Sequence, residues 1–343
     1  MIISKKHIFL FAVFICALLL FFLLNISLGS VSIPLKEIVS TLTGNGASKT
    51  TWEYIILNYR LPKAITCICV GIALSISGLL MQTLFKNPLA EPYVLGISSG
   101  ASLGVSIVIL GAHLLPAFIQ NILLQPYGIV IASSLGSLLV LLIVLAVARQ
   151  LKQTMAVLVV GLMIGSFTSA FVSVLTYFST ADQIKKFTFW SLGNLGNLDW
   201  LSIKIVVVCV FIGLILALKS IKALNSLLLG ENYARSLGIN FKQTRLTIII
   251  ATCILTGAVT AFVGPIAFIG LAIAHITKLV FKTSNHLILY IGCLILGPSI
   301  LLICDTISQM PGYNITLPIN AITSIIGAPI VVWLLVRKNN KIV

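Results

Sequence analysis

Ten apolar stretches, each near the ~20 residues that carry a helix across a bilayer, follow one another along this chain with short polar connections between them. In hydrocarbon a backbone must satisfy its own polar groups, so such stretches fold as helices. They are Ile8–Leu28, Ala64–Phe85, Val94–Leu115, Tyr127–Ala148, Met155–Phe178, Leu201–Leu218, Leu246–Val263, Ile266–Val280, His286–Asp305 and Leu317–Val336. Charged residues make up 8% of the chain, against about 25% in a soluble domain. The expected fold class is an all-α polytopic membrane protein, one transmembrane domain over residues 1–343 with about ten spans. The first run is longer than the apolar core of a signal peptide and lacks a clean cleavage site, so it is expected to stay as a span. Little chain remains for a soluble domain, so an energy source must sit on another subunit.

The net charge of +15 would suggest nucleic acid in a soluble protein. Here the positive-inside rule accounts for it and nucleic acid is excluded as a partner. With the N-terminus inside, fifteen of the 22 Lys and Arg fall on the cytoplasmic face. The other seven are Lys36, Lys49, Arg60, Lys63, Lys185, Lys186 and Lys204. An even number of spans then places both termini in the cytoplasm, with lipid around the whole bundle. The seven cysteines lie inside apolar runs without CxxC spacing and read as small buried hydrophobes. Ionisable groups are nearly absent from mid-span, which argues against a proton- or sodium-coupled carrier or channel. HExxH, a GxSxG with a plausible triad and a phosphate-binding loop are all missing, so the chain is not expected to be an enzyme.

One polar stretch interrupts the later spans, KSIKALNSLLLGENYARSLGINFKQTR, from Lys219 to Arg245. It carries five Lys or Arg and a single acid, Glu231. Two short helical segments are expected, Lys222–Leu229 with Ala223, Leu227 and Leu228 on an apolar stripe, and Glu231–Leu237. Glu231 and Arg235 sit at i,i+4, Gly230 is a hinge, and Gly238 suits the position after a helix end. Helices this short are not stable alone in water, so a soluble partner packed against them is one source of order. An amphipathic loop lying on the headgroups is the other.

Further motifs make the reading specific. Residues 60–104 read RLPKAITCICVGIALSISGLLMQTLFKNPLAEPYVLGISSGASLG. Downstream come YFST (Tyr177–Thr180), FWSLGNL (Phe189–Leu195), LLGENYARSLG (Leu228–Gly238), FVGPIAFIGLAIAH (Phe262–His275) and SIIGAPIVVWLL (Ser324–Leu335). In this order the blocks resemble the FecCD-type permeases, membrane subunits of importers for ferric siderophores, haem and cobalamin. The resemblance implies a ten-helix subunit of the bacterial plasma membrane. A second permease, identical or paralogous, would pair with it, and two cytoplasmic ATPases would use ATP and magnesium, with no cofactor on this chain. It also implies a substrate-binding protein outside, with a ferric siderophore as the expected cargo and haem or cobalamin as the alternative.

The resemblance assigns residues as well. Gly230, Glu231, Ala234, Arg235 and Gly238 match the ATPase-coupling helices. Arg60 and Lys63 match bases that meet glutamates of the binding protein, although basic residues at a span end also serve as interface anchors. Asn87 and Leu89 match a cytoplasmic constriction and Thr180 a position near the outer gate; Asn87-Pro88 is equally a common turn dipeptide. The chain departs from the family pattern at Gln309, where an Arg is frequent, at Ala274 before His275, and at Thr316-Leu317-Pro318-Ile319-Asn320. These departures put a three-point basic contact with the binding protein in doubt.

Overall fold

The computed structural model describes residues 4–112, 116–150, 154–196, 198–313 and 315–339; the side chains at 94–95, 117, 126, 145, 148–149, 154–155, 158, 231–233 and 334–339 lie outside the description. Every regular element among the described residues is helical. Among the described residues seven helices are long and apolar enough to span a membrane. The first of them is α1 (Lys5–Ser27). Two short helices, α2 (Leu35–Leu42) and α3 (Thr50–Ile55), lead to α4 (Leu61–Leu84) through a π-helical turn over Ile56–Arg60. Next come α5 (Ile97–Ile109), α6 (Ala117–Leu123), α7 (Pro126–Gln150), α8 (Thr154–Tyr177) and α9 (Ala181–Ser191). The chain continues with α10 (Trp200–Leu227), α11 (Glu231–Ser236), α12 (Phe241–Val263), α13 (Ile269–Phe281), α14 (His286–Ser308) and α15 (Ile319–Asn339). With α5, α13 and α15 added to the seven long helices, ten apolar helices stand where the sequence places spans.

Two compact sets of helices form. One comprises the chain up to Leu79, Asn194–Val208 and the chain from Ile266 onward. Its centre is a contact of bare backbones. A Cβ on Gly78 of α4 would overlap the carbonyl of Gly270 in α13, and one on Gly71 would lie 2.6 Å from the backbone nitrogen of Pro298 in α14. Small residues let spanning helices approach this closely, where dispersion and interhelical hydrogen bonds replace the hydrophobic drive that lipid does not supply. Ser75 adds such a bond, donating to the carbonyl of Cys293 at 3.0 Å. Along α1, Phe11 packs on Phe281 at 4.8 Å between ring centroids, while Ile8, Phe9, Leu19 and Leu20 stay exposed.

The second set comprises Leu80–Gly193 and Cys209–Pro265. Here Val105, Ile109 and Leu110 form a core on which Ile184, Phe187 and Trp190 of α9 pack.

Two expected spans are shorter than the sequence suggests. For Val94–Leu115, whose residues 113–115 lie outside the described residues, the helix is α5, and for Ile266–Val280 it is α13, each of 13 residues. At 1.5 Å per residue that is about 20 Å, short of a ~30 Å hydrocarbon core. Both start after a residue in left-handed backbone, Gly96 at φ 77° and Phe268 at φ 66°. Ahead of α5, Pro92–Leu95 forms a tight 3-10 turn. Ahead of α13, Gly264 at φ 79° breaks the preceding helix, and the Ala267 N–H is capped by Asn320 Oδ1 at 3.1 Å. The two short helices thus share one local arrangement, a break in α-helical backbone ahead of a 13-residue helix.

One expected element is not separate. Lys222–Leu227 is the last part of α10, a helix of 28 residues that continues past the expected end at Leu218. Polar Lys219 and Lys222 do not end the helix because Ile221, Leu224 and Leu227 keep a buried i,i+3 stripe at 7%, 1% and 4% exposure. The stripe expected from Ala223, Leu227 and Leu228 is therefore corrected; Leu228 faces outward.

Candidate functional site

The expected site residues fall into four places. The first is the turn between α10 and α12. Gly230 takes φ 104°, a conformation that suits glycine, and its carbonyl accepts from the Ala234 N–H at 3.0 Å to start α11. At the far end Gly238, φ 79°, donates to Arg235 O at 2.9 Å and Ile239 donates to Ala234 O at 3.1 Å. That pair of bonds is the glycine-terminated helix stop expected from the sequence. Asn240 then caps α12, its side chain accepting from the Gln243 N–H at 3.2 Å. Ala234 is buried and holds α11 down, whereas Arg235, Leu229 and Leu237 are exposed. The side chain of Glu231 lies outside the described residues, and with it the expected pairing to Arg235. Sequence reasoning missed the projecting Leu229 and Leu237; leucines flanking both glycines were the available signal.

The second place follows α4. Asn87 Oδ1 accepts from the Leu89 N–H at 2.9 Å and Asn87 O from the Ala90 N–H at 3.1 Å, so the asparagine shapes the turn. Ala90 is buried and Leu89 projects outward at 41% exposure. The third place is the start of α9. Thr180 caps it reciprocally with Gln183, whose carbonyl oxygen accepts from the Thr180 N–H at 3.0 Å.

The fourth place gathers residues far apart in sequence. Arg60, at the end of the π-turn, is 9% exposed. Its Nη1 donates to the carbonyls of Ile26 at 2.7 Å and Ser27 at 2.9 Å, and Nη2 donates to Val31 O. One turn on, Lys63 Nζ lies 2.9 Å from Asp305 Oδ1, with side-chain exposures of 19% and 2%. The other Asp305 oxygen accepts from Asn25 Nδ2 at 2.9 Å and Gln309 Nε2 at 2.7 Å. Carbonyls at the end of α1 carry the partial negative charge of a helix C-terminus, so a guanidinium there is favourably placed. The carboxylate is neutralised and fully bonded, as a buried charge must be.

Arg60 and Lys63, which the resemblance assigns to binding-protein docking, each have bonding partners within the protein. Both charges are spent inside the protein, tying the ends of α1 and α14 to the head of α4. The sequence flagged Asp305 only as an acid at a span end and did not single out Asn25; an amide at the matching end of an earlier span was the signal for their partnership. Gln309 donates to the carboxylate where an Arg is frequent in the resembled family. Among the described residues no cluster of three or more His, Cys, Asp or Glu could hold a metal ion.

Comparison with known proteins places this architecture. The chain is 34% identical to the hemin transport system permease protein HmuU of Yersinia pestis over 94% of this chain and 95% of that protein. It is 35% identical to the vitamin B12 import system permease protein BtuC of Klebsiella pneumoniae over 84% of each. Its fold matches a solved chain described as an inward-facing conformation of a metal-chelate type ABC transporter, with TM-score 0.83 and 24% identity, covering 96% of this chain and 99% of that one. The model of the FecCD transport family matches residues 17–337, almost the full length, and the chain belongs to that family.

Proposed function

We propose that this chain is the permease of an ATP-driven importer whose cargo is a metal chelate of the haem or corrinoid class. That it is a membrane permease of a binding-protein-dependent ABC importer follows from the family. The cargo reading rests on one observation: a hemin permease and a vitamin B12 permease align along most of the chain. A ferric siderophore, the cargo expected from the sequence, has less behind it.

In this reading the whole chain acts as one permease domain with both termini in the cytoplasm, paired with a second permease copy or paralogue. The α11 turn is the surface pressed by the ATPase subunit. Gly230 and Gly238 fix its two ends, Ala234 roots it, and Arg235 with Glu231 meets the partner. Rigid attachment through α10 and α12 turns movement of the ATPase pair into rocking of the spans. Leu89 projects into the constriction from a turn that Asn87 and two prolines stiffen, and Thr180 fixes the start of the helix beside the outer gate. Arg60 and Lys63 serve the docking of the binding protein by holding the rim in shape, with their charge engaged inside.

The test is ATP-dependent uptake into proteoliposomes containing the chain, its ATPase and its binding protein, with haemin, cobalamin and ferric hydroxamate and catecholate chelates offered in turn. Uptake of haemin or cobalamin is expected. Uptake of only a ferric siderophore would overturn the cargo while leaving the permease reading intact. Accumulation driven by an ion gradient without ATP would overturn the permease mechanism itself.

A further inference from the structure

The connection between α1 and the long helix beginning at Thr50 joins two spanning segments, so it lies at a bilayer surface. Within it, α2 has one face against the protein, where Ile38 is 0% and Thr41 6% exposed. Its polar groups turn to the neighbouring loop. Glu37 Oε2 accepts from the Ser48 N–H at 2.7 Å and Ser40 Oγ donates to Gly46 O at 2.6 Å. What remains is a stripe of Leu35, Val39 and Leu42, spaced i, i+4 and i+7, at 46%, 49% and 40% exposure. Three large apolar side chains in a row on one helical face need a cover.

We propose that Leu35, Val39 and Leu42 seat α2 in the headgroup–acyl boundary of the bilayer, making it an interfacial anchor whose ligand is the lipid surface. The flanking residues are those of a membrane interface. Lys49 Nζ sits 4.6 Å over the Trp52 ring, and Tyr54 and Tyr59 pack edge to face at 5.9 Å while remaining more than half exposed. Aromatic rings and lysines concentrate at this depth because each has an apolar body and a polar end. Area also favours lipid over protein. A stripe of three side chains falls far short of the ~1,000 Å² that a stable protein interface needs, whereas an amphipathic helix needs only to sink about 5–10 Å.

The anchor is also mechanically tied. Arg60 donates to Val31 O, just ahead of α2, and to the carbonyls ending α1, so the depth of α2 is transmitted to the head of α4. This rests on the spanning helices alone and stands or falls independently of the cargo.

The experiment uses the full chain with Cys16, the exposed cysteine among the described residues, changed to Ser. A bimane probe is attached in separate variants at Val39→Cys, Leu42→Cys and Lys36→Cys, and the protein is placed in nanodiscs of phosphatidylcholine and phosphatidylglycerol. Quenching is read with a nitroxide carried near the ester of the acyl chain and with aqueous iodide. Several-fold stronger lipid quenching at positions 39 and 42 than at 36 is expected, with the opposite order for iodide. Equal iodide quenching at all three positions would overturn the proposal by placing the stripe in water. Shielding of 39 and 42 from both quenchers would overturn it by placing protein over them.

Discussion

Asp305→Ala isolates the buried knot at the head of α4 from everything else in the protein. In the intact chain the carboxylate receives Lys63 at 2.9 Å, Asn25 at 2.9 Å and Gln309 at 2.7 Å, with its own side chain 2% exposed. Removing one partner of a buried pair costs about 3–5 kcal/mol, because the other charge is left without compensation. Lys63 keeps 19% exposure and a flexible stem, so its ammonium can turn toward polar surroundings. That places the expected loss near the low end, ~3 kcal/mol, or about a hundredfold in the folding equilibrium.

Thermal unfolding in detergent with added lipid, followed by tryptophan fluorescence, measures the loss. A cycle with Lys63→Met separates coupling from ordinary truncation. Lys63→Met alone strands the carboxylate but leaves the Asn25 and Gln309 bonds, so it should cost less than Asp305→Ala. The double variant should cost clearly less than the sum, by 1 kcal/mol or more, since neither buried charge is then stranded. Strict additivity would refute the reasoning, because it would mean that the two side chains do not feel one another at 2.9 Å.

Arg60→Glu should abolish recovery of folded chain, since it aims a carboxylate at the carbonyls of Ile26 and Ser27, while Arg60→Lys should recover part of it; size-exclusion profiles read both. Gly78→Leu should fail to fold and Gly78→Ala should unfold at clearly lower temperature, because any Cβ there meets the Gly270 carbonyl of α13. Gly238→Ala forces a Cβ into left-handed backbone at φ 79° and should cost about 1 kcal/mol locally, with a larger fall in ATP-coupled uptake than in the amount of assembled complex. Leu229→Asp and Leu237→Asp lie on the exposed α11 surface and should reduce co-purification of the ATPase without changing the unfolding temperature.

The apolar helices, seven long and three shorter among the described residues, were legible in the sequence because hydrocarbon leaves an apolar run one stable conformation. Helix ends were less so, and the errors have separate causes. α5 and α13 lose their first turns to Gly96 and Phe268 in left-handed backbone; a glycine can be suspected there, a phenylalanine cannot. α10 gains nine residues beyond Leu218 because Ile221, Leu224 and Leu227 find a buried surface, and burial depends on neighbours that a hydropathy pattern does not contain. The head of α4 makes the same point for charge. Position in the sequence placed Arg60 and Lys63 correctly at a span end, yet a base there can face water or fold back. The choice is made for Arg60 by the carbonyls of Ile26, Ser27 and Val31, and for Lys63 by Asp305, far along the chain. The departures from the family pattern then acquire a physical meaning. Gln309 supplies the carboxylate with a neutral donor at 2.7 Å, where a second cation would compete with Lys63. Asn320 supplies the acceptor that caps the broken backbone ahead of α13. Both substitutions serve interior bonding, one at a buried carboxylate and one at a backbone break.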